Sequence, residues 1–439
     1  MINRCLIVLL IFNFQSAVTA QQKVDTIHID NLDMLWKSAI ENNSSQKIYQ
    51  LKNQQTKVDF NTAKAYLLPQ ISGSFSGQDN TKLSTTPVPG ELLGQPNKTL
   101  YLQFGKQYVY NTGITISKSI FDWQAAAQAN ISKENIALNT AQQLANEQNI
   151  KTQIAQSYFT LMIAKAAISI SEKDFQLSDS ILYITKQKFQ QGLVDAIAVN
   201  QAAINCNNII LSIYQSKELY KNALVSIKNM SGMSENTPID FKPIDNVANL
   251  YNADISTIEQ DKNVLVYSHN IEVQKWQYRM AKASFLPKFS ISSYWGYQQF
   301  RDNFGMEFTA DSWKDYRYIA LNMSTPIFTG FANKNKLKSN SIQTDIVKEQ
   351  YKAALEQSKI NDKSLQETIA NYLTITNTSK KSFELYGNNL QLNHQKFIEG
   401  IISNDSYFKA FDDYLKSENT YLNNLSTLLY NQAIVISRK

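Results

Sequence analysis

Cysteine is almost missing. The 439-residue chain has two, Cys5 and Cys206, and the first falls in an N-terminal stretch that reads as a cleaved signal. Arg4 gives that stretch a positive start, Cys5 to Phe14 is mostly apolar, and Val18-Thr19-Ala20 forms a small-residue cleavage site before Gln21. The apolar run is too short for a stable spanning helix, so an uncleaved anchor is the weaker reading. Removal of residues 1–20 leaves Cys206 alone, which excludes an internal disulfide. No cysteine follows the cleavage site, so no lipid anchor is expected.

Histidine is as sparse. His28, His269 and His394 are scattered, and none sits with Cys or acidic residues at metal-ligand spacing. Gly-x-Ser-x-Gly, phosphate-loop and dinucleotide patterns are lacking too. Asp412-Asp413 reads as a solvated helix face. Without a catalytic constellation the chain reads as no enzyme, with no cofactor and no metal. No later segment reads as a transmembrane helix, and the mean hydropathy is -0.34. Membrane insertion would therefore have to use β-strands. The net charge is +6, but Lys and Arg are spread among Asp and Glu, which argues against a nucleic-acid partner.

What is present is a tandem repeat. Ala63-Lys64-Ala65 with Leu68-Pro69 recurs as Ala281-Lys282-Ala283 with Leu286-Pro287. Ser117 with Ile120-Phe121 recurs as Ser324 with Ile327-Phe328, and Gln187-Lys188-Phe189 with Gly192 recurs as Gln395-Lys396-Phe397 with Gly400. The offset is 218 residues at the first landmark and then 207 and 208, so the first copy has 11 extra residues, which belong in a loop. Residues 21–230 form the first repeat, 231–255 an irregular linker with Gly232, Pro238 and Pro243, and 256–439 the second repeat. Each copy reads as helix, Pro, strand pair, very long helix, Gly turn, helix. The first helix is expected over Asp30 to Tyr66 and its counterpart over Ile258 to Phe285, stopped by Pro69 and Pro287.

After each Pro the period changes to two. Phe289, Ile291, Trp295 and Tyr297 alternate with Ser290, Ser292 and Gln298. Ile319, Leu321 and Met323 alternate with Ala320, Asn322 and Ser324, and the first copy shows the same over about 70–120 as the second does over about 288–328. Strands of roughly 10 residues are long enough to cross a bilayer at a tilt. A soluble sheet with one buried face has the same alternation. Aromatic residues favour lipid: Tyr294, Trp295, Tyr297 and Tyr318 cluster where an interfacial girdle would stand. Asp79 to Lys106 and Arg301 to Arg317 read as polar, water-exposed hairpin loops. Four strands cannot close a barrel, so the lipid reading requires eight strands from two copies or twelve from three.

From Asp122 to Gln190 there is neither Gly nor Pro, and Gly330 to Glu399 is of similar length. Helices of that size reach about 100 Å and need lateral support. Ile154, Leu161, Ile168, Phe175, Leu182 and Phe189 stand seven apart, as do Ile369, Thr376, Phe383, Leu390 and Phe397. Three residues after the first series come Ser157, Ala164, Ser171, Ser178 and Thr185, a small line suited to closely packed helices in a wall. Gly192 and Gly400 then end these helices, and Leu193, Val194, Ile401 and Ile402 follow as apolar residues at turn tips that a partner would cover.

The tandem repeat, the Leu-Pro junction before each hairpin and the Phe-x-x-Gly-aliphatic turn resemble the TolC-type outer-membrane efflux proteins, over nearly the whole mature chain. The resemblance implies a mixed α and β homotrimer: a twelve-strand barrel in the outer membrane of a Gram-negative bacterium, continued by a periplasmic α-helical barrel with an equatorial collar. It implies that the turns at Phe189 to Val194 and Phe397 to Ile402 dock a periplasmic adaptor joined to an inner-membrane pump of RND or ABC type. Some family members carry acidic residues six and nine positions after the second tip glycine. Here those positions are Ser406 and Lys409, with Asp405 next to the first, so an acidic constriction is shifted or absent. The competing readings are a periplasmic coiled-coil scaffold or adaptor without a pore, and a surface stalk.

Overall fold

The chain's computed structural model describes residues 27–29, 31–241 and 258–439. The signal segment and most of the linker lie outside these residues. Strand β1 (Ile27–Ile29) leads to helices α1 (Leu32–Asn42) and α2 (Ser44–Ala65), then β2 (Gln70–Asp79), the short pair β3 (Thr85–Pro89) and β4 (Thr99–Gln103), and β5 (Tyr108–Phe121). Helix α3 (Trp123–Gln190) and α4 (Ala196–Met230) complete the first repeat, and β6 (Ile239–Phe241) begins the linker. The second repeat comprises α5 (Lys262–Ala283), β7 (Lys288–Arg301), β8 (Lys314–Ser324), α6 (Ala332–Ile398) and α7 (Asn404–Ile436).

The expected first helix is broken into α1 and α2. Asn43 is extended at the break and its side-chain oxygen accepts from the backbone N–H of Ser45 and Gln46, so it starts a new helix. Its amide nitrogen also donates to the carbonyl of Met230, 2.8 Å away, which pins the bend to the end of α4. Both helix-to-strand junctions follow the proline positions: α2 ends at Ala65 before Pro69, and α5 ends at Ala283 before Pro287. Strand β5 passes into α3 through Asp122, whose Oδ1 accepts from Gln124 and Ala125 at 3.0 Å each. Its Oδ2 meets Lys288 of β7 at 3.4 Å, so one carboxylate starts the long helix and ties it to the neighbouring strand.

The strands form an antiparallel sheet in the order β2-β5-β7-β8. β5 and β7 are 14 residues long, longer than the alternation suggested. The extra length of the first copy lies in the connection between β2 and β5, where β3 and β4 make a hairpin of their own, with Val88 opposite Leu100. A separate parallel pair, β1 with β6, sets Ile29 opposite Phe241. Both residues enter a mid-length core with Leu32, Leu35, Ile154, Phe159, Leu161, Ile227, Leu425 and Leu429, which joins α1, α3, α4 and α7. A second core near the turns gathers Ile181, Ala198, Phe397, Tyr407, Phe408 and Phe411.

Helices α3 and α4 each hold an 18-residue window apolar enough to cross a membrane by length and composition, which the sequence reading did not anticipate. Half of the α3 window is buried inside the protein, so side-by-side helix packing accounts for much of its apolar content.

In the sheet, Gly113 of β5 stands opposite Gly296 of β7, and Tyr294 lies over the pair. A Cβ at 296 would come within 2.3 Å of the Thr112 carbonyl oxygen and 2.6 Å of the Tyr294 hydroxyl. Gly296→Val is expected to cost about 1–3 kcal/mol by overpacking. Thermal unfolding of detergent-purified protein, followed by strand circular dichroism, should show a lower midpoint than wild type.

Candidate functional site

Strand register sorts the sheet into two faces. Ile71 and Phe75 of β2, Ile114 and Ile116 of β5, Ile291, Trp295 and Tyr297 of β7, and Ile319, Leu321 and Met323 of β8 share one face. Most of them are exposed, and the apolar band is continuous across all four strands. The opposite face carries Ser72, Ser74, Ser76, Asn111, Thr115, Ser117, Ser290, Ser292, Gln298, Asn322 and Ser324. A soluble domain would cover the apolar band with a second layer, whereas here the long helices lie beyond the strand ends.

The four aromatic residues read as one girdle are split between these faces. Trp295 and Tyr297 belong to the apolar face, where Arg317 lies 5.4 Å over the Trp295 ring and the indole N–H donates to Ser293 Oγ. Tyr294 and Tyr318 point to the polar face, stacked at 5.7 Å and joined by Tyr316. Residues 294 and 295 are adjacent, and strand alternation forces them apart. Clustering in sequence could not supply a girdle across that alternation.

At the far end, both long helices close in the same hydrogen-bonded turn. Gly192 has φ +72° and Gly400 φ +73°. The Gly192 N–H donates to the Phe189 carbonyl at 2.9 Å and the Leu193 N–H to that of Lys188 at 2.9 Å. Gly400 and Ile401 repeat this onto Phe397 and Lys396 at 3.2 and 2.8 Å. This is the Schellman arrangement, which needs a left-handed residue at the glycine position. Asp195 caps the following α4 and Ser403 caps α7, each through its side-chain oxygen.

The two turns lie side by side around an open cleft of about 620 Å³, lined by Lys188, Leu193, Val194, Ile197, Gly400, Ile402 and Asp405 among others. Leu193 and Ile401 are 68% and 65% exposed. Val194 and Ile402 instead fold back onto the tip core. The matched phenylalanines differ: Phe397 is fully buried, stacked on Tyr407 at 4.8 Å with the Lys188 ammonium 4.0 Å over its ring, while Phe189 is 47% exposed. His394 lies beside Tyr407, and burial pushes its pKa down.

Asp405, Ser406 and Lys409 are all exposed on the first turns of α7. Asp405 lines the tip cleft, and Ser406 is occupied with the Ser403 cap. Lys409 continues into Asp412 and Lys416, which pair at 2.7 Å, so one helix face carries alternating charge. Among the described residues no cluster of three or more His, Cys, Asp or Glu could hold a metal. Sequence reading missed a buried carboxyl pair, Asp174 on α3 and Glu418 on α7. Each lies 18 residues from its own tip glycine, a symmetry that could have exposed it.

The outer membrane efflux protein family matches residues 35–233 of the chain. No curated protein matches it by sequence. Among solved structures it is similar to CusC, described for transmembrane channel formation, with TM-score 0.76 and 17% identity over 94% of this chain and 93% of that one. It is similar to the CmeC outer membrane channel of Campylobacter jejuni, with TM-score 0.73 and 17% identity over 100% and 93%. The open-state MtrE outer membrane channel of Neisseria gonorrhoeae shares TM-score 0.74 and 14% identity over 93% and 88%. The family's sequence pattern thus covers the first repeat, and the fold of these outer membrane channels extends over both.

Proposed function

We propose that three copies of this chain form the outer-membrane duct of a tripartite efflux or secretion machine. The observation that carries the reading is the sheet: four strands with one continuous apolar face and unpaired backbone on β2 and β8. Lipid cannot hydrogen-bond those edges, so neighbouring copies must. Three copies give twelve strands, with the serine- and asparagine-rich face inward and Trp295 and Tyr297 outward. The helices support the same assembly. Ile197, Ile204 and Leu211 stand seven apart on α4 and are exposed, a line suited to a helix of an adjacent copy.

In this reading α3 and α6 carry the conduit about 100 Å from the barrel into the periplasm. Leu193, Ile401 and the cleft between the two turns receive the adaptor, and an RND or ABC pump in the inner membrane supplies the energy. The duct itself moves solutes passively, by enclosing them. Asp405 and Lys409 form alternating threefold charge rings if they line the entrance. A scaffold without a pore would leave the apolar sheet face without a role.

The assembly is tested by mass measurement of the mature protein in detergent and by planar-bilayer recording. A trimer with stepwise conductance is expected; a soluble monomer stable without detergent would overturn the proposal.

Docking is tested separately with Gly192→Trp and Gly400→Trp. A side chain has open space at both sites, so the cost is the left-handed backbone, about 1–2 kcal/mol each. Membrane insertion should persist while pump-dependent tolerance in the native host falls. Unchanged tolerance would remove the docking role from the turns.

A further inference from the structure

Asp174 and Glu418 are 6% and 4% exposed, and they meet across the seam between α3 of the first repeat and α7 of the second. The Tyr414 hydroxyl also faces Asp174. Asp174 Oδ2 is buried with no hydrogen-bond partner. Two charged carboxylates cannot share so dry a place, because desolvation and mutual repulsion both penalise the second charge. One proton between them supplies a donor for the orphaned oxygen and removes one charge.

The position is as informative as the chemistry. On α3, Asp174 falls between Met162 of the mid-length core and Ile181 of the tip core. On α7, Glu418 falls between Phe411 of the tip core and Leu422 of the mid-length core. The pair thus lies where the tip core gives way to the mid-length core, about 27 Å along each helix from the tip glycines.

We propose that Asp174 and Glu418 form a proton-dependent clasp between the two helical hairpins, which holds α7 against α3 when one proton is shared and releases it when that proton leaves. The clasp rests on the channel reading given above, because its outcome is a wider tip end of the duct.

Charges acting on the pair come from its own two helices. Lys173 on α3 favours ionised Asp174, and Tyr414 and Glu418 contribute from α7. From α4, Lys217 is engaged with Glu172 at 3.4 Å on the surface. From α6, Phe383 stacks on Tyr414, and Glu384 acts on Tyr421. Burial, then the neighbouring Asp174 charge, pushes the Glu418 carboxyl up to about 8, and burial raises Asp174 as well. The sign follows: the folded protein holds this proton more tightly than the unfolded chain does. The clasp is complete below the usual glutamate value of 4.5, weakens as pH rises from there, and is gone above about 8.

The test uses the full mature protein in detergent and in planar bilayers, with Asp174→Asn, Glu418→Gln and the double variant as near-isosteric controls. Infrared titration should show a protonated-carboxyl band that bleaches near pH 8 in wild type and is missing from Glu418→Gln. Conductance should rise through the same pH range in wild type, and the double variant should lose that dependence. A wild type without the band, or one that conducts equally at all pH values, overturns the clasp. So does a double variant that keeps the wild-type profile. A titrating band in a wild type that conducts at no pH overturns the channel reading, and the gate falls with it.

Discussion

A strand edge in hydrocarbon has nowhere to place its N–H and C=O groups, and in the proposed membrane duct that constraint governs the rest of the structure. The protomer offers four strands with free edges on β2 and β8 and an apolar face that nothing among the described residues covers. Each unpaired backbone group in lipid costs several kcal/mol, so a lone protomer in the membrane is excluded by more energy than a domain's whole stability. Closure with other copies removes the penalty and makes a pore in the same step. Barrel, oligomer and conduit are therefore one consequence of edge pairing.

That constraint also explains the helices. Once strands from several copies close a ring, the helices leaving them are held in a ring too. A single 68-residue helix would have no reason to stay straight in water. The small line Ser157, Ala164, Ser171, Ser178 and Thr185 lets α3 and α4 approach closely: Ser157 and Ser226 hydroxyls meet at 3.0 Å. Of the larger heptad residues on α3, Ile154 and Leu161 are buried in the mid-length core, while Phe189 near the tip is half exposed.

Much of this was legible in the sequence because it depends on period and punctuation. Pro69, Pro287, Gly192 and Gly400 mark junctions at which the backbone admits few alternatives, and the repeat tells each reading twice. The break at Asn43 was not legible, since its cause is a long-range bond to Met230. The β3–β4 hairpin was hidden by Pro87 and Pro89, which read as loop but suit a two-stranded edge. The girdle failed because neighbours in sequence oppose each other across a strand. The Asp174–Glu418 pair joins residues from different repeats, and each alone looks like an ordinary surface charge on a helix.

The two repeats share one plan but not one packing. In the second, Ile369, Thr376, Leu390 and Phe397 are buried within the protomer, and Phe397 anchors the tip core through Tyr407. In the first, Phe189 and the line Ile197, Ile204 and Leu211 stay outside. An identical pair of repeats would place six equal hairpins around a threefold ring, with no distinction between contacts inside and between copies. The second repeat supplies the buried aromatic residues of the tip core, Phe397, Tyr407, Phe408 and Phe411, while both hairpins keep exposed apolar residues, Ile197, Ile204 and Leu211 on α4 and Leu385, Leu392 and Ile398 on α6. In the proposed trimer, either hairpin therefore has apolar surface left for an adjacent copy.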